Sequence, residues 1–191
     1  MSAALHTNQD APSAWLQRFA PLIPPGPVLD LACGSGRHAR LLAAFGHPVL
    51  AADRDPIALV RAAGRGIVTM QVDLEADGAA WPFEVGHFVA IVVSNYLYRP
   101  LFPHILASLA TGGVLIYETF ASGNALYGKP SNPDFLLRRG ELLDVLRQHA
   151  ADLHVLAFEE GYTEVPKPAM VQRICAIRNA TGFPPGQPRL F

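Results

Sequence analysis

The chain has 191 residues, half of them hydrophobic and 16% charged, with a formal net charge of −1. That size and composition fit one α/β domain with a substantial core. The near-neutral balance, without a basic or acidic tail, argues against general electrostatic attraction to nucleic acid or anionic lipid.

Residues 11–22 read as a short amphipathic helix with Trp15, Leu16 and Phe19 on one face, and Asp10 and Pro12 are its start signals. A Pro/Gly cluster at 24–27 ends it and leads into a strand at 28–31. A helix runs from 37 to about 45, and Gly46 and Pro48 stop it. A second strand is expected at 48–52, a helix opened by Asp55-Pro56 over 57–63, and a third strand at 67–71. Residues 88–94 form a continuous apolar run of the kind found in buried parallel strands. A helix at 103–109, a turn at Thr111-Gly112-Gly113 and a strand at 114–118 follow. Residues 121–133 are rich in Gly, Asn, Ser and Pro and read as a loop. A helix at 141–150 and strands at 153–158 and 171–178 complete a core spanning 28–178. The whole chain, 1–191, is read as one domain, with 181–191 as a peripheral tail.

Cys33 and Cys175 have neither a zinc-site spacing nor that of a disulfide framework, and the seven histidines are scattered, so no metal is expected. Residues 1–10 lack the charged start and apolar core of a targeting segment. No apolar run approaches the ~20 residues needed to span a bilayer, so a cytoplasmic location without membrane contact is expected.

The most informative stretch is 27–39. An apolar run ends in Asp30, passes through a small-residue turn and opens a helix. Gly34-Ser35-Gly36-Arg37-His38-Ala39 fits the G-x-G-x-x-G/A pattern, in which backbone amides approach a cofactor closely. Asp53 closes the next apolar run. Asp30, Asp53, Asp73, Asn95 and Glu118 recur at intervals of 20 to 23 residues, about the length of one strand, one helix and two loops. In a right-handed parallel sheet those ends line one edge. The negative charge of Asp30 disfavours a diphosphate there and favours a ligand carrying an ammonium and a sulfonium.

Asp30-x-Ala32-x-Gly34-x-Gly36 resembles the first motif of the class I S-adenosylmethionine-dependent methyltransferases, departing from it at Ala32, where that family most often has glycine. The resemblance covers 28–178. It implies a Rossmann-like, doubly wound α/β fold with a seven-stranded sheet of order 3-2-1-4-5-7-6, the last strand antiparallel and helices on both faces. The second half also looks like the tellurite-resistance and thiopurine-type small-molecule methyltransferases, in which a loop such as 132–137 precedes a helix opening with Glu-Leu.

The implied cofactor is S-adenosyl-L-methionine. Its binding residues are expected to be Asp30, Ala32, Cys33, Gly34 and Gly36 in the loop, with Asp53 and Arg54, Asp73 and Leu74, and Asn95. Asp53 can accept both ribose hydroxyls, Asp73 the adenine amino hydrogens, and the Leu74 backbone can contact the ring. Tyr96, Arg99, Glu118 and Tyr127 are the candidate acceptor contacts, Arg99 in particular for an anionic acceptor. Tyr98 and His104 are the candidate catalytic side chains. Residues 120–139 are expected either to cover the acceptor through Tyr127 and Arg138 or Arg139, or to be a surface excursion.

A small-molecule acceptor is expected. Two alternatives stay open: an RNA or nucleobase methyltransferase, and a non-catalytic cofactor-binding module. Asn95-Tyr96-Leu97-Tyr98 has the asparagine and an aromatic of an Asn-Pro-Pro-Tyr turn but neither proline. A nicotinamide reductase would need a Tyr-x-x-x-Lys pair, whereas the only lysines are Lys129 and Lys167. Oligomeric state is not legible.

Overall fold

A computed structural model describes residues 11–150 and 152–179. Seven strands form one sheet of order β3-β2-β1-β4-β5-β7-β6. They are β1 (Val28–Leu31), β2 (Val49–Asp53), β3 (Ile67–Gln71), β4 (Phe88–Ser94), β5 (Leu109–Phe120), β6 (Leu153–Thr163) and β7 (Ala169–Arg178). Strands β1 to β5 run parallel to one another, and β7 runs antiparallel to both β5 and β6. This is the doubly wound order expected, with the winding reversing between β1 and β4. That reversal opens a crevice beyond the strands' carboxyl ends.

The two-residue side-chain period of the strands separates two apolar cores. Leu29, Ile91, Val93, Leu115 and Tyr117 face α4 (Phe102–Ser108) and α5 (Glu141–His149). Val28, Ala90, Val92, Val114 and Ile116 face α1 (Ala14–Phe19), α2 (Arg37–Ala44) and α3 (Pro56–Ala62). Leu29, Ile91, Val114 and Ala176 have little or no exposure, so both faces of the central strands are dry and read as unbroken apolar runs.

Several boundaries differ from the sequence expectation, three of them for a visible physical reason. Helix α1 starts from Ser13, whose hydroxyl accepts from the amides of Trp15 and Leu16, rather than from Pro12; Asp10 lies outside the described residues. The Thr111-Gly112-Gly113 turn is absorbed into β5 as an irregularity. Register moves from Phe88↔Leu109 to Ala90↔Val114, and a Cβ on Gly113 would sit 2.8 Å from the Ala110 carbonyl. Strand β6 extends five residues further than expected, to Thr163, because β7 pairs with it as far as Ala169. The 181–191 tail lies outside the described residues.

Helix α1 is fastened to the far end of the chain. Trp15 Nε1 donates to the Ile174 carbonyl at 3.3 Å, and Arg18 pairs with Glu159 at 3.2 Å.

Candidate functional site

The loop between β1 and α2 turns sharply. Ala32, Gly34 and Gly36 have φ of 54°, 53° and 77°. The two glycines serve different needs. A Cβ on Gly36 would lie 2.6 Å from Ala62 Cβ, so glycine there lets α2 meet α3; a Cβ on Gly34 would meet nothing within 4 Å. The Gly34 backbone therefore borders open space. Ala32, at a left-handed position, carries strain of about 1 kcal/mol that glycine would avoid.

Asp53 fastens the loop. Its Oδ2 accepts from Gly34 N–H at 2.7 Å and its Oδ1 from Asp55 N–H at 2.9 Å. Each oxygen keeps a second lone pair for a ligand. Asp73 Oδ1 accepts from Glu75 N–H at 3.0 Å. Leu31, Ala32, Asp53, Arg54, Asp73, Leu74, Asn95 and Tyr96 line one cavity of about 260 Å³. Tyr96 is hydrogen-bonded to Glu75, and burial together with that carboxylate pushes its phenol above its ordinary range.

Asp30 is not in the crevice. It lies under the loop, 1% exposed, accepts from the Ala39 amide, and its Oδ2 has no hydrogen-bond partner. Burial raises its carboxyl to about 7, against the lowering effects of the Ala39 amide and Arg37, while Asp53 adds to the rise. Burial thus disfavours its charged form. Asp30 therefore does not present its carboxylate to the crevice, which is lined instead by the carboxyl groups of Asp53, Asp73 and Glu75.

A larger cavity of about 930 Å³ continues from Ala32, Cys33, Gly34 and Ser35 past Arg37, His38 and Ser94 to Phe120, Lys129, Phe135 and Lys167. Asn95 lines this cavity, the smaller one, and a third of about 290 Å³ beside Glu118 and Arg173. It does so in a left-handed conformation, φ 56°, with its N–H donated to the Glu118 carbonyl. Glu118 accepts from the Ser94 hydroxyl at 3.2 Å and pairs with Arg173 at 3.2 Å. The nearby nucleophiles are quiet. Burial pushes the Cys33 thiol well above its ordinary range. His38 Nε2 accepts from Ser13 N–H at 3.2 Å, and burial, aided by Arg37, lowers its pKa to about 3. It is neutral, with its acceptor nitrogen engaged.

Four expected residues stand elsewhere. The Arg99 guanidinium donates to both oxygens of Glu141, at 2.7 and 3.0 Å, and to the Asp134 and Leu136 carbonyls. It clamps the 132–138 segment and lines none of the three cavities. His104 stacks on Trp81, ring centroids 5.8 Å apart, and borders with Tyr98 a separate recess of about 220 Å³. The chain after Tyr96 turns away into the 3-10 turn Arg99–Leu101, so neither side chain reaches the larger cavity. Tyr127 packs at a tilt on Tyr162, ring centroids 4.9 Å apart, with both rings about half exposed. The 120–139 segment does wall the larger cavity, but through Lys129, Pro130, Ser131, Asn132 and Phe135 rather than Tyr127, Arg138 or Arg139.

Sequence reasoning missed His38, Ser94, Lys129 and Lys167. The one available signal was the scarcity of lysine, two in the whole chain. Among the described residues, no group of three or more His, Cys, Asp or Glu side chains could hold a metal ion, and no helix is long and apolar enough to cross a membrane.

Residues 28–113 match a family model described as a methyltransferase domain. Over 147 residues the chain is 30% identical to Hemagglutinin 1 of Eikenella corrodens, covering 73% of this chain and 47% of that protein. The chain thus spans about half the length of that relative. Among solved structures, TehB from Haemophilus influenzae matches with a TM-score of 0.69 at 20% identity, covering 88% of this chain and 63% of that one. An S-adenosylmethionine-dependent methyltransferase from Mesorhizobium loti matches with a TM-score of 0.66 at 19% identity, covering 85% and 95%.

Proposed function

We propose that this chain, whose residues 28–113 match a methyltransferase-domain model and whose sheet has the strand order of the class I S-adenosylmethionine-dependent fold, transfers a methyl group from S-adenosylmethionine to a small-molecule acceptor. The observation that carries this reading is that two cavities lie side by side, with Ala32 and Asn95 lining both. One has the size and carboxylates for an adenosyl group, and the other adjoins it for a second reactant.

The residues present fit the cofactor. Asp53 keeps lone pairs toward the smaller cavity for the ribose hydroxyls, and the position a Gly34 Cβ would take is open. Asp73 and the Leu74 backbone serve the adenine. Arg37, on the helix that continues the loop, is the cation suited to the carboxylate of the methionine moiety. When bound, S-adenosylmethionine supplies a methyl carbon on a sulfonium, taken by an acceptor lone pair as the carbon–sulfur bond breaks. The chain contributes position and exclusion of water. Among the described residues no carboxylate lines the larger cavity, His38 is neutral with its lone pair engaged, and Cys33 stays protonated. The acceptor therefore arrives with its lone pair already available or releases its proton to solvent.

The test has two stages. Calorimetry should show S-adenosylmethionine binding, and more tightly than NADH. Labelled cofactor incubated with fractionated metabolites should then yield a labelled low-molecular-weight product. Label found only in RNA at physiological salt would overturn the small-molecule acceptor. Cofactor binding without any labelled product would favour a non-catalytic module.

A further inference from the structure

The chain has only two lysines, and both line the larger cavity, from different loops. Lys129 follows β5, and Lys167 lies in the connection between β6 and β7. Arg37 adds a third positive charge, donating to the Ser94 hydroxyl and the Ala11 carbonyl. Among the described residues no aspartate or glutamate lines the same cavity, and His38 contributes no charge. Elsewhere Arg18, Arg99, Arg138, Arg147, Arg173 and Arg178 each pair with a carboxylate. Among the described residues neither lysine makes an ion pair. Like charges gathered over low-dielectric walls repel one another and focus a positive potential into the opening, which an anion relieves.

We propose that the acceptor carries an anionic oxygen group, a carboxylate or a phosphate, which Lys129 and Lys167 hold beside an apolar part resting on Phe120 and Phe135. The inference rests on the methyltransferase reading above and adds the chemical class of the acceptor. The apolar contact is supplied by rings on the same wall. Phe120 is half-buried, Phe135 is 50% exposed, and Lys167 Nζ lies 5.5 Å from the Phe120 ring centroid. That cation–π contact keeps the ammonium at the opening. The cofactor's own carboxylate accounts for one cation, Arg37, on the helix that opens from the cofactor loop. The lysines come from the wall built by the second half of the chain and remain for the acceptor. A cationic acceptor would meet three like charges, and the carboxylate of the adjoining cavity, Glu118, is already paired with Arg173.

The test uses the full chain saturated with S-adenosylhomocysteine, so that the cofactor's carboxylate site is filled. Benzoate and phenyl phosphate are titrated against benzyl alcohol and benzylamine. The anionic probes should bind at least about tenfold tighter than the neutral and cationic ones. The double variant K129Q/K167Q should lose about tenfold for the anions, while its S-adenosylmethionine affinity stays within about twofold. Benzylamine binding as well as benzoate, absence of saturable anion binding, or unchanged benzoate affinity in the double variant would each overturn the proposal. So would a parallel loss of S-adenosylmethionine affinity, which would assign the lysines to the cofactor. A chain that binds no S-adenosylmethionine refutes the methyltransferase reading instead, and the charge preference is then read on the unliganded protein.

Discussion

Asp53 does two jobs with one carboxylate. It closes the loop by accepting the amides of Gly34 and Asp55, and its remaining lone pairs face the smaller cavity. Asp53→Ala removes both sets of bonds, so S-adenosylmethionine affinity should fall by roughly 2–4 kcal/mol in calorimetry. Asp53→Asn is the more informative change. Its amide group would bring N–H donors against a backbone N–H on one side, so one loop bond is lost whichever way it turns. It should weaken binding nearly as much as alanine; an unchanged affinity in the D53N variant would mean that the charge is not used. The position of Asp53 beside the loop and the smaller cavity was legible because a carboxylate closing the second apolar run is a local pattern. The burial of Asp30 was not. Whether a strand-end acid looks up into the crevice or down under a loop is decided by neighbours such as Ala39, which no pattern at residue 30 reports. For the same reason Arg99 read as an acceptor contact: its partner Glu141 lies 42 residues away.

At the scale of elements, the Arg99–Glu141 contact joins the 3-10 turn before α4 to the start of α5, and Arg99 also holds the Asp134 and Leu136 carbonyls ahead of α5. Glu141, 4% exposed, also accepts the Arg138 amide at 2.7 Å. Desolvation alone would raise its carboxyl, but the Arg99 and Arg138 bonds hold it below its ordinary value. Its contribution to stability is therefore present above the unfolded-state pKa and lost as pH falls through the lower folded one. Arg99→Ala should cost about 2 kcal/mol and speed hydrogen exchange at the Arg138 and Leu137 amides while leaving β1 to β3 protected. Uniform exchange across the chain would show that the clamp is not local. Strand positions in β1 to β5 were readable because buried parallel strands are apolar runs between turn residues. The extra length of β6 was not, because a solvent-facing edge strand has mixed residues and is defined by its partner.

At the scale of the molecule, stability should carry the mark of Asp30. Its carboxyl is raised from 3.8 to about 7, so between those values the folded chain holds a proton that the unfolded chain releases. The associated stability is complete below about pH 4 and declines as pH rises toward 7, then stays level. Three pKa units correspond to about 4 kcal/mol. In urea titrations, Asp30→Asn should gain on the native chain by about that amount between pH 4 and pH 8; parallel stability curves would refute it. The fastening of α1 to β7 has a consequence for synthesis. Trp15 waits for a carbonyl made 159 residues later, an interval of roughly 8–30 seconds on the ribosome. Throughout it the nascent chain shows an uncovered indole, joined once β5 is made by an unpaired β5 edge. The interval in which this topology is most open to wrong partners is therefore set by the pace of translation.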